Sequence, residues 1–259
     1  MIDKIQNIRV LIELPTWLGD CIMATPAIEN IVNFYDDAQI TFIGSSVSIK
    51  AMKNYPKTVK TTVLSKKYSD LYKIPRRLGK FDVFFSFRGS IRSKFLIFLI
   101  SAKNKYQFDK NKYQNRHQVE KYNDFVGDSL NTSFSAKKLK LYFDGDNSLL
   151  AESKPLLGIN PGASYGSAKR WYPQEFAKVA SKLSHKYDIV IFGGPGETDI
   201  ANDIEKELIK NNIKNCQNLA GRTTISELIS HVSNLDLFIT GDSGPMHVAA
   251  AFQVPTVAI

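Results

Sequence analysis

The second half of the chain repeats a single pattern, and that pattern restricts the fold more than any other feature. Short apolar runs at 156–160, 188–192, 216–219, 237–240 and 256–259 are separated by stretches with helical spacing at 173–186, 197–211, 225–233 and 245–252. None of the runs alternates apolar with polar residues. Strands of that kind are buried on both faces, as in a parallel sheet covered by helices. The first half follows the same rhythm less regularly. Strands are expected at 9–14, 39–43, 81–87 and 106–108, and helices at 20–33, 90–102 and 117–130. The expected fold class is therefore α/β, with two Rossmann-like domains, 1–150 and 151–259, facing a cleft. The join near 144–155 carries Gly145, Asn147, Ser148 and Pro155 and reads as a linker.

A chain of 259 residues suits two small domains, and 43% hydrophobic with 23% charged residues excludes a disordered chain. Two cysteines, Cys21 and Cys216, exclude a disulfide scaffold and a four-cysteine zinc site. The first residues have no apolar core of a signal peptide, and the longest apolar run, 95–100, is too short to span a bilayer. A cytoplasmic location is the expectation. The formal charge of +9 is uneven: residues 1–150 hold 24 Lys/Arg and 14 Asp/Glu, whereas 151–259 hold 10 and 11. A basic first half and a near-neutral second half point to different partners, one of them anionic. Tyrosines interleave with the cations, but no RNA-binding motif accompanies them, so no nucleic-acid partner is expected.

In open α/β sheets, ligands bind beyond the carboxyl ends of the strands. Four loops there stand out. In Pro15-Thr16-Trp17-Leu18-Gly19-Asp20, Asp20 stands where an N-cap belongs, and a carboxylate there serves as a cap, as a general base, or as both. The stretch from Asn160 to Trp171 combines Gly162, Gly166, Ser164, Ser167, Lys169 and Arg170, the makings of a phosphate cradle, without Walker A spacing. Phe192-Gly193-Gly194-Pro195-Gly196-Glu197 allows close approach of a ligand, and Glu197 either begins the next helix or accepts from a ribose. In Thr240-Gly241-Asp242-Ser243-Gly244-Pro245-Met246-His247, backbone N–H groups before a helix-starting proline suit a pyrophosphate, Asp242 suits a sugar hydroxyl, and His247 lies in the first turn. Ser243 lacks a GxSxG elbow, so a Ser/His/Asp hydrolase is excluded. In the basic half Arg88 follows a strand, Arg92 lies close behind it, and His117 opens a helix.

The loops resemble, in order and spacing, those of the ADP-heptose:lipopolysaccharide heptosyltransferases, inverting glycosyltransferases of GT-B fold. The matching pieces are Leu18-Gly19-Asp20 with Thr25-Pro26-Ala27-Ile28, Pro161-Gly162-Ala163 through Ala168-Lys169-Arg170-Trp171, Gly193-Gly194-Pro195, Leu219-Ala220-Gly221, and Asp242 through His247 with Val254-Pro255-Thr256. The resemblance is strong in the second half and weak between residues 45 and 154. Its Pro-Gly-Ala and Ala-Lys-Arg-Trp pieces are closest to the branch that adds the second heptose. It implies ADP-heptose as donor, a lipid A-linked lipopolysaccharide core as acceptor, and peripheral contact with the inner membrane. It gives Asp20 the role of general base. Ser164 and Lys169 match phosphate contacts, with Lys169 also countering charge on the leaving group. Glu197 matches the ribose contact, Thr223 lies near the adenine pocket, Asp242, Ser243 and Gly244 match heptose and phosphate contacts, and His247 follows them. Arg88, Arg92 and His117 are the candidate acceptor contacts. Neither metal nor cofactor is expected. Family members continue past the Val-Pro-Thr strand, so the resemblance also implies a second domain truncated at its C-terminus. Two other readings share these residues: a GT-B transferase using another nucleotide sugar, and an inactive nucleotide-sugar-binding fragment.

Overall fold

A computed structural model describes residues 8–65, 67–143, 154–162 and 171–259. The chain divides into two compact units, Met1–Tyr142 and Phe143–Ile259, a division that falls before the expected 150/151 boundary.

The first unit runs β1 (Arg9–Glu13), α1 (Leu18–Met23), α2 (Thr25–Phe34), β2 (Gln39–Gly44), α3 (Ser46–Met52), β3 (Thr58–Val63), α4 (Tyr68–Leu78), β4 (Lys80–Ser86), α5 (Ile91–Leu99), β5 (Ser101–Gln107) and α6 (Gln118–Leu130). Its sheet has the order β3-β2-β1-β4-β5, and every pairing is parallel. The chain winds outward from β1 through β2 to β3, then crosses to the other side for β4 and β5. The order therefore reverses between β1 and β4, where a crevice opens at the carboxyl ends. Val10, Leu11 and Ile12 of β1 and Val83, Phe84 and Phe85 of β4 are buried, as strands covered on both faces require.

The second unit runs β6 (Leu156–Asn160), α7 (Pro173–Leu183), β7 (Asp188–Ile191), a 3-10 turn (Pro195–Glu197), α8 (Thr198–Lys210), β8 (Cys216–Asn218), α9 (Ile225–Ser233), β9 (Leu237–Thr240), α10 (Gly244–Ala251) and β10 (Thr256–Ala258). Its parallel sheet, β10-β9-β6-β7-β8, reverses between β6 and β9. Leu157, Ile159, Ile191 and Ile239 pack with Phe176, Ala180 and Ile204 of the covering helices. No helix among the described residues is long and apolar enough to cross a membrane.

Four departures from the sequence expectation have physical causes. The helix expected at 20–33 is two helices. Pro26 has no N–H to donate, Thr25 Oγ1 donates to the Ile22 carbonyl at 2.7 Å, and the chain breaks at Ala24. The helix expected to end at 102 stops at Leu99, because Ile100 is extended and leads into β5. That strand runs Ser101–Gln107 rather than 106–108. It lies at the sheet edge, and its exposed Ser101, Lys103, Asn104 and Lys105 give no apolar signal. Residues 45–80, unassigned from sequence, hold α3, β3 and α4. β3 is a polar edge strand, and α4 carries Pro75 within it.

Candidate functional site

At the reversal point of the first sheet the last residue of β1 is an acid. Glu13 is 1% exposed, while the rest of its strand interior is apolar. Ser86 Oγ, at the end of β4, donates to Glu13 Oε2 at 2.5 Å, and Ser93 Oγ of α5 donates to Oε1 at 2.9 Å. Arg88, just past β4, places Nη1 3.4 Å from Oε1 and keeps its side chain 20% exposed. Burial raises the Glu13 carboxyl above its ordinary value, against the opposing pull of Ser86, Arg88, Ser93 and Arg92. The Arg88 carbonyl also accepts from Gln107 Nε2 at 3.0 Å. Three strands thus fix an arginine with one end on a buried acid and the other toward solvent, an arrangement suited to an anionic ligand.

The loop into α1 is held from the start of α3. Ser45 Oγ donates to the Thr16 carbonyl at 2.8 Å, and Ser48 Oγ donates to the Pro15 carbonyl. The N-cap of α1 is Trp17, so Asp20 is not the cap that its position suggests. It lies one turn in, at the third helical residue. A carboxylate there gains from the positive end of the helix. It lies close enough to Tyr122 of α6 to add to the effect of burial in raising that phenol. Tyr122 in turn contacts Phe87, at 5.4 Å between ring centroids, and Phe108, at 4.9 Å. Both phenylalanines lie just past the carboxyl ends of β4 and β5. Asp20 therefore belongs to the same edge of the sheet as Arg88.

Two of the basic-half candidates carry structural duties. His117 caps α6, its Nδ1 accepting from Val119 N at 3.4 Å, and Glu120 completes the capping box. Arg92 donates through Nη2 to the carbonyls of Ser65, at 2.5 Å, and Lys67, at 3.1 Å, and lies over the Tyr68 ring. It ties the loop between β3 and α4 to the start of α5.

In the second unit the loops after β6, β7 and β9 converge. Asn160 is buried at the end of β6, and its amide donates to Ser243 Oγ at 3.0 Å, to Thr240 Oγ1 at 3.3 Å and to the Gly162 carbonyl at 3.4 Å. Ser243 is the N-cap of α10 but makes no side-chain cap bond, because its hydroxyl faces Asn160 and Thr240 instead. The positive end of α10, opening at Gly244, lies at the carboxyl edge of the sheet and suits an anion. Asp242 is exposed beside it, and His247 is half-buried in the first turns of the helix. Glu197 closes the 3-10 turn, its Oε2 accepting from Gly194 N at 2.7 Å. Its carboxyl lies so close over Gly162 that a Cβ there would meet Glu197 Cδ at 2.1 Å. Thr223 is half-buried in the loop after β8, whose Gly221 N donates to the Gly193 carbonyl at 2.9 Å. Ser164 and Lys169 lie outside the described residues. Glu197, in the 3-10 turn after β7, and Asp242, Ser243, Gly244 and His247, in the loop and helix start after β9, follow the carboxyl ends of the two strands that flank β6 in one sheet.

Two residues of these clusters escaped the sequence reading, Glu13 and Asn160 as a side-chain hub. The available signal for Glu13 was an acid ending an otherwise apolar strand. For Asn160 it was a polar amide at the last buried position before a glycine-containing loop.

The chain matches the profile of glycosyltransferase family 9 (heptosyltransferase) over residues 72–259. It is 44% identical over 257 residues to a lipooligosaccharide heptosyltransferase 2 from Campylobacter jejuni, covering 97% of this chain and 80% of that protein. Among solved structures, a family 9 glycosyl transferase from Veillonella parvula superposes with a TM-score of 0.85 at 23% identity, covering 98% of this chain and 81% of that one. The Escherichia coli ADP-heptose heptosyltransferase II superposes with a TM-score of 0.82 at 22% identity, covering 97% and 84%. These two likenesses show the fold, α/β with two parallel sheets as in GT-B proteins.

Proposed function

The chain belongs to glycosyltransferase family 9, the heptosyltransferases, and on that premise we propose that it moves a heptose from ADP-heptose to the heptose-bearing inner core of lipopolysaccharide, with inversion. The observation that carries this reading is the 44% identity to a lipooligosaccharide heptosyltransferase 2 across 97% of the chain. The first unit takes the acceptor and the second the donor. The enzyme works at the cytoplasmic face of the inner membrane, where a lipid A-linked acceptor resides.

In the reaction Asp20 removes the proton of the acceptor hydroxyl. The freed oxygen attacks the anomeric carbon of the heptose as the bond to the diphosphate breaks, and ADP departs with the bonding pair. Negative charge grows on the diphosphate in this step. The positive end of α10 and the cation of Lys169 oppose that charge, and Ser164 shares the phosphate contacts. Glu197 accepts from the ribose, Thr223 lines the adenine pocket, and Asp242, Ser243 and Gly244 meet the heptose and phosphates, with His247 beyond them. Asn160 holds Ser243 in its turned-away rotamer and keeps the α10 terminus open. On the acceptor side Arg88, oriented by Glu13, meets an anionic group of the core. Arg92 and His117 support the same face, through the carbonyls of Ser65 and Lys67 and the first turn of α6.

Donor choice is tested by calorimetry with ADP, UDP and GDP. ADP is expected to bind in clear preference to the other two. The Gly162→Ala variant, whose Cβ displaces the Glu197 carboxyl, is expected to weaken ADP by about tenfold, the loss of one charge-assisted hydrogen bond. Equal binding of all three nucleotides, or an unchanged ADP affinity in Gly162→Ala, contradicts the roles given to this pocket and to Glu197.

A further inference from the structure

The outer face of α5 exposes apolar side chains beside the tyrosines and cations of α4. Ile91 is 87% exposed and Phe98 80%, and Phe95 lies between them. With Lys94 they fall at positions i, i+3, i+4 and i+7, a single stripe along α5. The helix buries little beyond Ser93 and Leu96, although six of its nine residues are apolar. Phe95 continues the stripe onto α4 through an edge-to-face contact with Tyr72, 5.5 Å between centroids. Tyr68, one turn earlier on α4, is exposed and lies under the Arg92 guanidinium. Exposed Ile and Phe side by side on one monomer face mark an interaction surface.

The charge around the stripe specifies the partner. Residues 66–105 hold eleven Lys/Arg and two Asp/Glu. The two acids offset little of this charge: Asp82 pairs with Lys103 at 2.7 Å, which leaves ten cations against Asp70, whose carboxylate accepts from Ser65 Oγ at 2.5 Å. Lys67, Lys73, Arg76, Arg77 and Lys94 are all exposed on or beside the two helices. Apolar side chains flanked by tyrosines and ringed by cations match the layered chemistry of an anionic bilayer surface. Hydrocarbon lies innermost there, amphipathic rings sit at the headgroups, and cations meet the phosphates. An ordinary protein partner does not call for such one-sided charge.

We propose that the α4–α5 face, through Ile91, Phe95, Phe98, Tyr68 and Tyr72 with Lys94 and Arg76, docks the enzyme on an anionic lipid bilayer. The inference rests on the proposed membrane association and names the surface responsible for it. It also has a consequence within the first unit. Ser93, on the inward side of the same helix, donates to Glu13, so α5 links the docking face to the cluster that orients Arg88. Docking there holds the acceptor-side cluster beside the headgroups that carry a lipid-linked core.

The test is co-sedimentation of the full chain with vesicles of phosphatidylglycerol and phosphatidylcholine, compared with phosphatidylcholine alone. Ile91→Ser/Phe98→Ser and Arg76→Glu/Lys94→Glu are run in parallel. The expected result is binding to the anionic vesicles that falls about tenfold or more in each double variant. ADP affinity and turnover of a delipidated core oligosaccharide are expected to stay at the parent level. Strong binding by the parent with no loss in either variant overturns the choice of surface and leaves membrane association standing. Absence of binding by the parent overturns both. If the apolar double variant instead converts a dimer to a monomer in light scattering, with vesicle binding unchanged, the face is a contact between copies and the proposal fails.

Discussion

Replacing Asp20 by Asn is expected to lower kcat by about 10³, within the range usually lost with a general base, while the acceptor and donor KM values change little. Asn preserves the shape of the side chain but cannot take a proton. Because Asp20 lies at the third position of α1 rather than at its cap, little helix stability depends on it. The loss of a charge near the helix N-terminus costs about 0.3–1 kcal/mol. Thermal denaturation therefore separates the two roles that a sequence reading leaves open. A capping aspartate would show its effect in Tm, and a base shows it in kcat. Near-parent kcat in Asp20→Asn contradicts the base assignment.

The second large effect is expected at Glu13. Glu13→Gln keeps one acceptor oxygen, turns the other into an amide that one of the two serines must accept from, and removes the charge that holds Arg88. The specificity constant for the acceptor is expected to fall by about 10–100-fold, the worth of one charge-assisted contact. The loss is expected in acceptor KM more than in kcat. Stability is expected to move the other way. Burial raises the folded-state pKa of Glu13, so the folded protein binds the proton more tightly than the unfolded chain does. That contribution is complete below the unfolded pKa and is lost as the pH rises through the folded one. Glu13→Gln does not titrate, so above that window the variant is expected to melt no lower than the parent. Acceptor KM in the parent is expected to improve as the pH rises through the ionisation of Glu13, with Arg88 and Arg92 the cations that face it. In Glu13→Gln this step is expected to vanish. A variant that simply loses stability at every pH, with acceptor KM unchanged, contradicts the positioning role.

The rhythm of strands and helices was legible wherever a strand is buried on both faces, because such strands carry their signal in composition alone. β6, β7 and β9 fall within a residue of the runs expected for them. The signal fails at the edges of the first sheet, though not at β8 and β10, the edges of the second, which fall within a residue of the runs expected for them. β3 and β5 are half solvated and polar, and α4 interrupts its own pattern with Pro75. The site divides along similar lines. Glycine-containing loops at strand ends announce themselves, and Asp242, Ser243 and Gly244 lie where the spacing implied. Partners distant in sequence do not. Nothing local reveals that Glu13 meets serines 73 and 80 residues away, or that Ser243 turns from its helix toward Asn160. Arg92 and His117 were visible as candidates, whereas their duties toward nearby backbone groups depend on the fold.

The identity of the transferred sugar and its acceptor is tested most directly by incubating the chain with ADP-heptose and a lipopolysaccharide core that bears one heptose, with product followed by mass spectrometry and ADP by coupled assay. The expected result is gain of a single heptose with stoichiometric release of ADP, absent when either substrate is omitted and slowed about 10³-fold in Asp20→Asn. Transfer from UDP- or GDP-linked sugars instead, or ADP-heptose binding with no transfer to any core acceptor, contradicts the assignment of this chain as a heptose transferase acting on the inner core.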